Sequence, residues 1–360
     1  MRLLLILNEN PAGSHDDVHR ALARLAQDGE IQSYYIYPFL ARLSEGLSSS
    51  AVMSEIVKRA KEFQTDAILW SHTGTLKVTE SALQSMRDLP SKPSMGYWDG
   101  DIYQSFYKPL PNEIKYLAAK ADVAFCQGIG QMTDQLKKAG CPDIRYVPAS
   151  TDPETFGKLR KQDTSILYDV IMIGNCVRSL FPWKTMPGSR WRKEMVNYLE
   201  KKLRSSFAVY GAGWSGPCAK GPVNFKEQDK LYHGSRIAIG VNNLHARYFF
   251  SNRLPIAMSC GIPILHNYES GMDEIFNVGI RQYFFKDTNE AWEKIRILLS
   301  KDQSELDSIG LMMQEFSFRY LTITEILKYM ISVLRDYELA RGGKKAVQIR
   351  PNPWIKVPRF

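Results

Sequence analysis

The sequence has little cysteine, no long apolar run and no glycine-rich dinucleotide fingerprint, and each shortage removes a class of protein. Its five cysteines (Cys126, Cys141, Cys176, Cys218, Cys260) are odd in number, scattered and without C-x-x-C spacing, so neither a disulfide framework nor a zinc site is expected. No stretch approaches the roughly 20 apolar residues that span a bilayer, and the opening MRLLLILNEN turns polar too early for a secretory segment. A reducing cytosol is therefore expected, with the inner face of a membrane as a peripheral location. No strand-loop-helix in the first 40 residues carries G-x-G-x-x-G, which argues against an epimerase or another dinucleotide-binding Rossmann enzyme.

What is present describes an ordinary globular chain, 44% hydrophobic and 24% charged. At 360 residues it exceeds the roughly 250 that a single core supports, so two cores are expected. The formal charge of +9 favours anionic partners: the phosphates of a small ligand, acidic lipid headgroups or nucleic acid. Much of the excess lies in 184–204 and from 341 onward, where a solvated face is the competing reading.

Short apolar runs alternate with longer helical patterns, the signature of parallel strands joined by crossover helices. Strands are expected at Arg2–Leu7, Ile31–Tyr37, Ala67–Ser71, Ser94–Trp98, Val123–Cys126 and Ile144–Val147, with helices such as Asp17–Gln27, Ala51–Phe63 and Gln131–Ala139 between them. The proline-bearing VPASTDPETF at 147–156 reads as a connector. The pattern then resumes with strands at Tyr168–Ile173, Phe207–Tyr210, Ile237–Val241 and Ile262–Leu265, and with helices starting at Arg190, Lys226, Ser251 and Gly271. The expected fold is α/β: two doubly wound Rossmann-like lobes, 1–150 and 151–335, with a helical C-terminal segment and a tail at 336–360.

In such sheets ligands lie beyond the carboxyl ends of the strands, where helix N-termini favour anions. Two lobes facing each other would form a cleft there. In the first lobe the loop NENPAGSH lets backbone approach a phosphate at Gly13, although a simple turn explains it equally well. His72 ends the run AILWSH, where an imidazole can bind a sugar hydroxyl or move a proton. GYWDGDIY places Asp99 and Asp101 two apart, the spacing by which some sugar transferases hold a divalent ion. Turn aspartates are the commoner explanation, and carboxylates that orient an acceptor hydroxyl a third. In the second lobe the strand-end loops offer Gly174, Arg178, Gly211, Trp214 and Asn243. Arg178, Lys184, Arg190 and Arg192 lead into a helix, where one or two of them can neutralise a departing diphosphate.

SNRLPIAMSCGIPIL at 251–265, followed by GMDEIF at 271–276, resembles the helix–turn–strand of retaining glycosyltransferases with the GT-B fold. With YDVIMIG, VYGAGW, IAIGVNN and the earlier YWDGD, it resembles most the spore-maturation-type (CgeB-like) branch. The resemblance implies a nucleotide diphosphate sugar held by the second lobe, with the acceptor on the first. It places Ser251, Asn252 and Arg253 at the diphosphate. The family's glutamate in that helix falls on Ile256, beside Pro255, and its earlier partner falls near Tyr248, so Glu269 or Glu274 is expected to take over part of donor recognition. Asp99, Asp101 and His72 would form the acceptor side, and no metal or other cofactor would be obligatory. A surface glycan is the expected acceptor, with protein or modified nucleic acid as alternatives. A degenerate, non-catalytic carbohydrate- or nucleic-acid-binding protein is the competing class.

Overall fold

The computed structural model describes residues 1–11, 15–161, 164–177, 179–341, 347 and 349–360. It forms two compact units, Met1–Val147 with Ile323–Phe360, and Pro148–Thr322.

The first unit is built on six parallel strands, β1 (Arg2–Leu7), β2 (Ser33–Pro38), β3 (Ala67–Ser71), β4 (Ser94–Asp99), β5 (Val123–Cys126) and β6 (Ile144–Tyr146). They lie in the order β2-β1-β3-β4-β5-β6. Central strands covered by helices on both faces need apolar residues at consecutive positions rather than alternate ones, and RLLLIL and AILWS supply them. The helix Asp16–Gln27 buries Val18, Ala21, Leu22 and Leu25, one stripe at helical spacing.

The boundary expected at 335/336 is corrected by the helix Ile323–Arg341, which runs through it. This helix packs on Asp16–Gln27 and on β4. Gly96 in β4 makes room for it: a Cβ there would lie 3.1 Å from Leu334. The segment after it is also held to the first sheet, since Asn352 Nδ2 donates to the Tyr146 carbonyl at 2.8 Å and the Phe360 N–H to the Ile144 carbonyl at 2.8 Å. The C-terminal helix and tail thus complete the first unit. That the helical C-terminal segment packs back toward the first lobe is what the family resemblance implies; its periodicity shows a helix but not which sheet it covers.

The second unit has five parallel strands, β7 (Tyr168–Ile173), β8 (Phe207–Tyr210), β9 (Ser235–Gly240), β10 (Ile264–Asn267) and β11 (Phe284–Phe285), in the order β11-β10-β9-β7-β8. Both sheets therefore reverse direction after their first strand, between β1 and β3 and between β7 and β9, and the crevice beyond the carboxyl ends is the place for a ligand.

The helix Arg253–Ser259 is buried from Leu254 to its end. Pro255 is tolerated because it sits in the first turn, where the N–H has no intrahelical partner to lose. The helix Gln303–Tyr320 crosses it closely, with Ser317 Oγ donating to the Pro255 carbonyl at 3.2 Å and Gln314 Nε2 to the Ser259 carbonyl at 2.6 Å. Gly310 permits this approach, for a Cβ there would meet the Gly261 carbonyl oxygen at 1.9 Å. Gly310→Ala is expected to destabilise the protein by about 1–3 kcal/mol through overpacking, read as a lower midpoint in urea.

Candidate active site

In the first unit β3 hands over to His72, which takes a left-handed backbone conformation with φ of +48°. A non-glycine residue is held there only where the surroundings enforce it, and such positions cluster at functional sites. Here the His72 N–H donates to the Trp98 carbonyl at 2.9 Å, bending the chain over the end of β4. The side chain then meets Asp99, with Nδ1 2.9 Å from Oδ1.

Asp99 is wholly buried. Its carboxylate also accepts from Tyr97 Oη at 2.5 Å and from the Asp101 N–H at 2.9 Å. Burial pushes the Tyr97 hydroxyl far up, so it stays protonated as a donor. The hydrogen bond to Asp99 raises the His72 pKa, with desolvation opposing it. Asp101 remains 49% exposed, and its Oδ2 lies 2.7 Å from Lys108 Nζ and 4.0 Å from His72 Nε2. Lys108 in turn sits 4.7 Å over the Tyr103 ring.

The structure thus brings Asp99, Asp101 and His72 together and gives them different places. Asp99 is an interior carboxylate that orients an imidazole, while His72 and Asp101 reach solvent. Of the two carboxylates expected to orient an acceptor hydroxyl, Asp99 or Asp101, the second is the accessible one, while the Asp99 oxygens face protein donors. Ligand atoms of the three lie within 4.8 Å of one another, a donor set that suits a divalent ion. As they stand, the two carboxylates are answered by N–H, O–H and ammonium groups instead. Tyr97, Tyr103 and Lys108 were not singled out from the sequence; the tyrosines flank the D-x-D pair, which was the available signal.

In the second unit Gly174 follows β7 and Gly211 follows β8. Gly211 has φ of +141°, and a Cβ on it would lie 2.4 Å from the Gly174 carbonyl oxygen, so only glycine allows these two strand ends to touch. Trp214 Nε1 donates to that same carbonyl at 2.6 Å. The indole N–H therefore holds the loop.

The helix Pro187–Leu203 begins three residues before Arg190, where the sequence placed its start. Its N-terminus abuts the loop after β9: the Gly188 N–H donates to the Asn243 carbonyl at 3.0 Å, and Ser189 Oγ to Asn243 Oδ1 at 3.0 Å. Arg190 is exposed, whereas Arg192 is buried. The Arg192 guanidinium bridges the switch point, donating Nη1 to the Asn175 carbonyl at 2.8 Å and Nε to the Val241 carbonyl at 3.1 Å.

Arg253 lies beside it. A Cβ on Gly174 would be 3.1 Å from Arg192 Nη1 and 3.4 Å from Arg253 Nε. Among the described residues, neither arginine has an acidic partner. Burial and the neighbouring Arg253 lower the Arg192 pKa to about 9, and burial lowers that of Arg253. Beneath them His266 is buried and neutral, its pKa lowered to about 4 by desolvation. Gly174, Asn175, Gly211 and Arg253 line a cavity of about 190 Å³, together with Pro222, Val223, Phe225 and Gln228. The latter four went unrecognised in the sequence, because the segment has no regular period.

The helix expected to start at Ser251 starts at Arg253, so Ser251 and Asn252 precede it, the Ser251 N–H being bound to Asn242 Oδ1 at 3.1 Å. The two glutamates are both held by protein donors. Glu269 is buried and accepts from His245 Nδ1 at 2.7 Å and Asn267 Nδ2 at 2.7 Å. Glu274 accepts from Tyr248 Oη at 2.9 Å and Arg247 Nη2 at 3.2 Å. Gly13 and Arg178 lie outside the described residues.

Residues 190–332 match the family model described as glycosyl transferase-like. The whole fold is that of GT-B glycosyltransferases, with two parallel-sheet Rossmann-like lobes. HepE of Anabaena, solved with UDP and glucose, is similar at 12% identity over 93% of this chain and 99% of that chain, with a TM-score of 0.57. A structure from E. coli described as trehalose-6-phosphate bound with UDP-2-fluoro glucose gives 10%, 93%, 99% and 0.60. A mutant BGT of T4 phage in complex with UDP-glucose gives 14%, 94%, 99% and 0.52. No curated protein matches by sequence. No helix among the described residues is long and apolar enough to cross a membrane.

Proposed function

We propose that the chain is a glycosyltransferase that moves a sugar from a nucleotide diphosphate sugar, a UDP-sugar as in its structural neighbours, to an acceptor hydroxyl. The donor sits on the second unit and the acceptor, a surface glycan, on the first. One observation carries this reading: buried Arg192 and half-buried Arg253 both approach Gly174 with no carboxylate beside them among the described residues. Cations held out of water without a counter-charge are unfavourable in the free protein and favourable once an anion arrives. The diphosphate gains negative charge as the bond to the anomeric carbon breaks, and fixed guanidinium groups stabilise it without reorganising.

That compensation makes a divalent ion unnecessary, so no obligatory metal is proposed although His72, Asp99 and Asp101 could hold one. Turnover with a matched UDP-sugar should persist in excess chelator. Complete loss, restored by manganese or magnesium, would reassign the three residues to a metal site. A thermal-shift series tests donor binding first, because a ligand of the native state raises Tm by mass action. UDP should raise Tm and uridine should not; equal shifts would remove the diphosphate reading.

The resemblance favours retention, in which the departing phosphate oxygen takes the acceptor proton on the same face of the sugar. The His72–Asp99 pair favours a second reading. A buried carboxylate that orients an imidazole is the arrangement of a general base. His72 Nε2 would remove the acceptor proton, the acceptor oxygen would bond to the anomeric carbon as the opposite C–O bond to the diphosphate breaks, and the configuration would invert. Proton NMR of the first-formed product separates the two by its anomeric coupling constant. The proposed location is the cytosol.

A further inference from the structure

We propose that the second unit docks on an anionic bilayer surface through the loop 179–185 and the outer face of the helix Pro187–Leu203. Three neighbouring large apolar side chains stand out in this loop, Leu180 at 97% exposure, Phe181 at 52% and Trp183 at 60%. The two rings lie against each other with centroids 5.3 Å apart, so they form one knuckle rather than separate exposed residues. Scattered apolar side chains need no explanation, but a contiguous group marks a contact surface.

The backbone of the knuckle is prepared for a medium poor in water. The Lys184 N–H donates to the Phe181 carbonyl at 2.9 Å, closing a single turn. The Phe181 N–H donates to Ser179 Oγ at 3.2 Å, and the Ser179 N–H to Thr185 Oγ1 at 3.3 Å. These N–H groups would not be orphaned where the tip meets the acyl boundary, which offers little water to bond them.

Charge selects the partner. Lys184 is exposed at the edge of the knuckle, and Arg190, Lys193 and Lys201 are exposed on the helix that follows. At 100° per residue these three fall within about 80° of one another around the axis, with two acids beside them, Glu194 and Glu200, the latter accepting from the Cys218 N–H at 3.0 Å. Lys202 and Arg204 continue the basic surface at the helix end. An apolar tip flanked by lysine and arginine matches an interface with anionic headgroups: the tip enters the acyl boundary and the basic groups stay among the phosphates. Aromatic and basic residues also suit single-stranded nucleic acid. Leu180, the most exposed of the three, has no π face to stack on a base, and this favours the bilayer.

Flotation of the full chain with phosphatidylcholine vesicles, with and without phosphatidylglycerol, tests the proposal. Binding to the anionic vesicles at low salt and release at high salt are expected. The triple variant L180S/F181S/W183S should lose at least about tenfold in partitioning with an unchanged Tm, since all three side chains are exposed. K193E/K201E should lose binding while the knuckle stays intact. Trp183 emission should shift to the blue on vesicle binding, and the shift should vanish in W183F. Equal flotation of the triple variant, or a blue shift with UDP or oligonucleotide and none with vesicles, would overturn the proposal.

Discussion

Arg253→Ala is expected to weaken UDP binding roughly 10- to 100-fold, the loss of a charge-assisted contact of about 1.5–3 kcal/mol. The same variant should leave the free protein equally stable or more so. Arg253 has no acidic partner among the described residues and its pKa is lowered by burial, so the native state carries an uncompensated cation whose removal relieves a desolvation cost. Arg253→Lys should recover part of the affinity but not the planar geometry. Arg192→Met behaves differently: it breaks bonds to the Asn175 and Val241 carbonyls and should lower Tm. Calorimetric titration with UDP beside thermal unfolding reads both quantities. Unchanged UDP affinity in Arg253→Ala would move the diphosphate elsewhere.

His72→Ala is expected to lower transfer by about 10²–10⁴-fold if the imidazole acts as general base, and by far less if the transfer retains configuration. The pH dependence supports the same distinction. Asp99 raises the His72 pKa, and the base must be neutral, so the acid limb of kcat/KM should lie above the ordinary imidazole value of about 6.5. Asp99→Asn should shift that limb to lower pH and reduce the rate, because an amide neither stabilises the imidazolium nor fixes the tautomer. Stability follows in sign: the pairing is fully present below the unfolded pKa and is lost as pH rises through the raised folded value. Wild type should therefore lose some stability across that rise, and Asp99→Asn should lose less. NMR titration of the imidazole locates the window, and a His72 pKa unchanged in Asp99→Asn would detach the two groups.

Most strands were legible because burial on both faces of a parallel sheet requires a continuous apolar run. Arg2–Leu7, Ala67–Ser71, Val123–Cys126, Tyr168–Ile173 and Phe207–Tyr210 fall where their composition placed them. β11, the two residues Phe284–Phe285, is too short to carry a period. The helix Pro187–Leu203 starts before Arg190 because proline fits the first helical turn, and Gly188 is needed where a Cβ would meet the Asn242 carbonyl oxygen at 1.8 Å. Site residues at strand ends were likewise legible as positions. Their roles were not: nothing in the spacing of Asp99 and Asp101 says that one is buried and the other half exposed.

The sequence by itself determined two parallel α/β cores, the strand-end loops and the +9 charge, because these follow from local periodicity, turn chemistry and counting. Only the tertiary structure decided that the first unit takes in the chain from Ile323 onward, that Glu269 and Glu274 are engaged by protein donors, and that Arg192 and Arg253 share Gly174 without a carboxylate among the described residues. Those facts concern which groups meet across long stretches of chain, and a side chain's partners, hence its charge state and availability to a ligand, are set by packing in space rather than by neighbours in sequence.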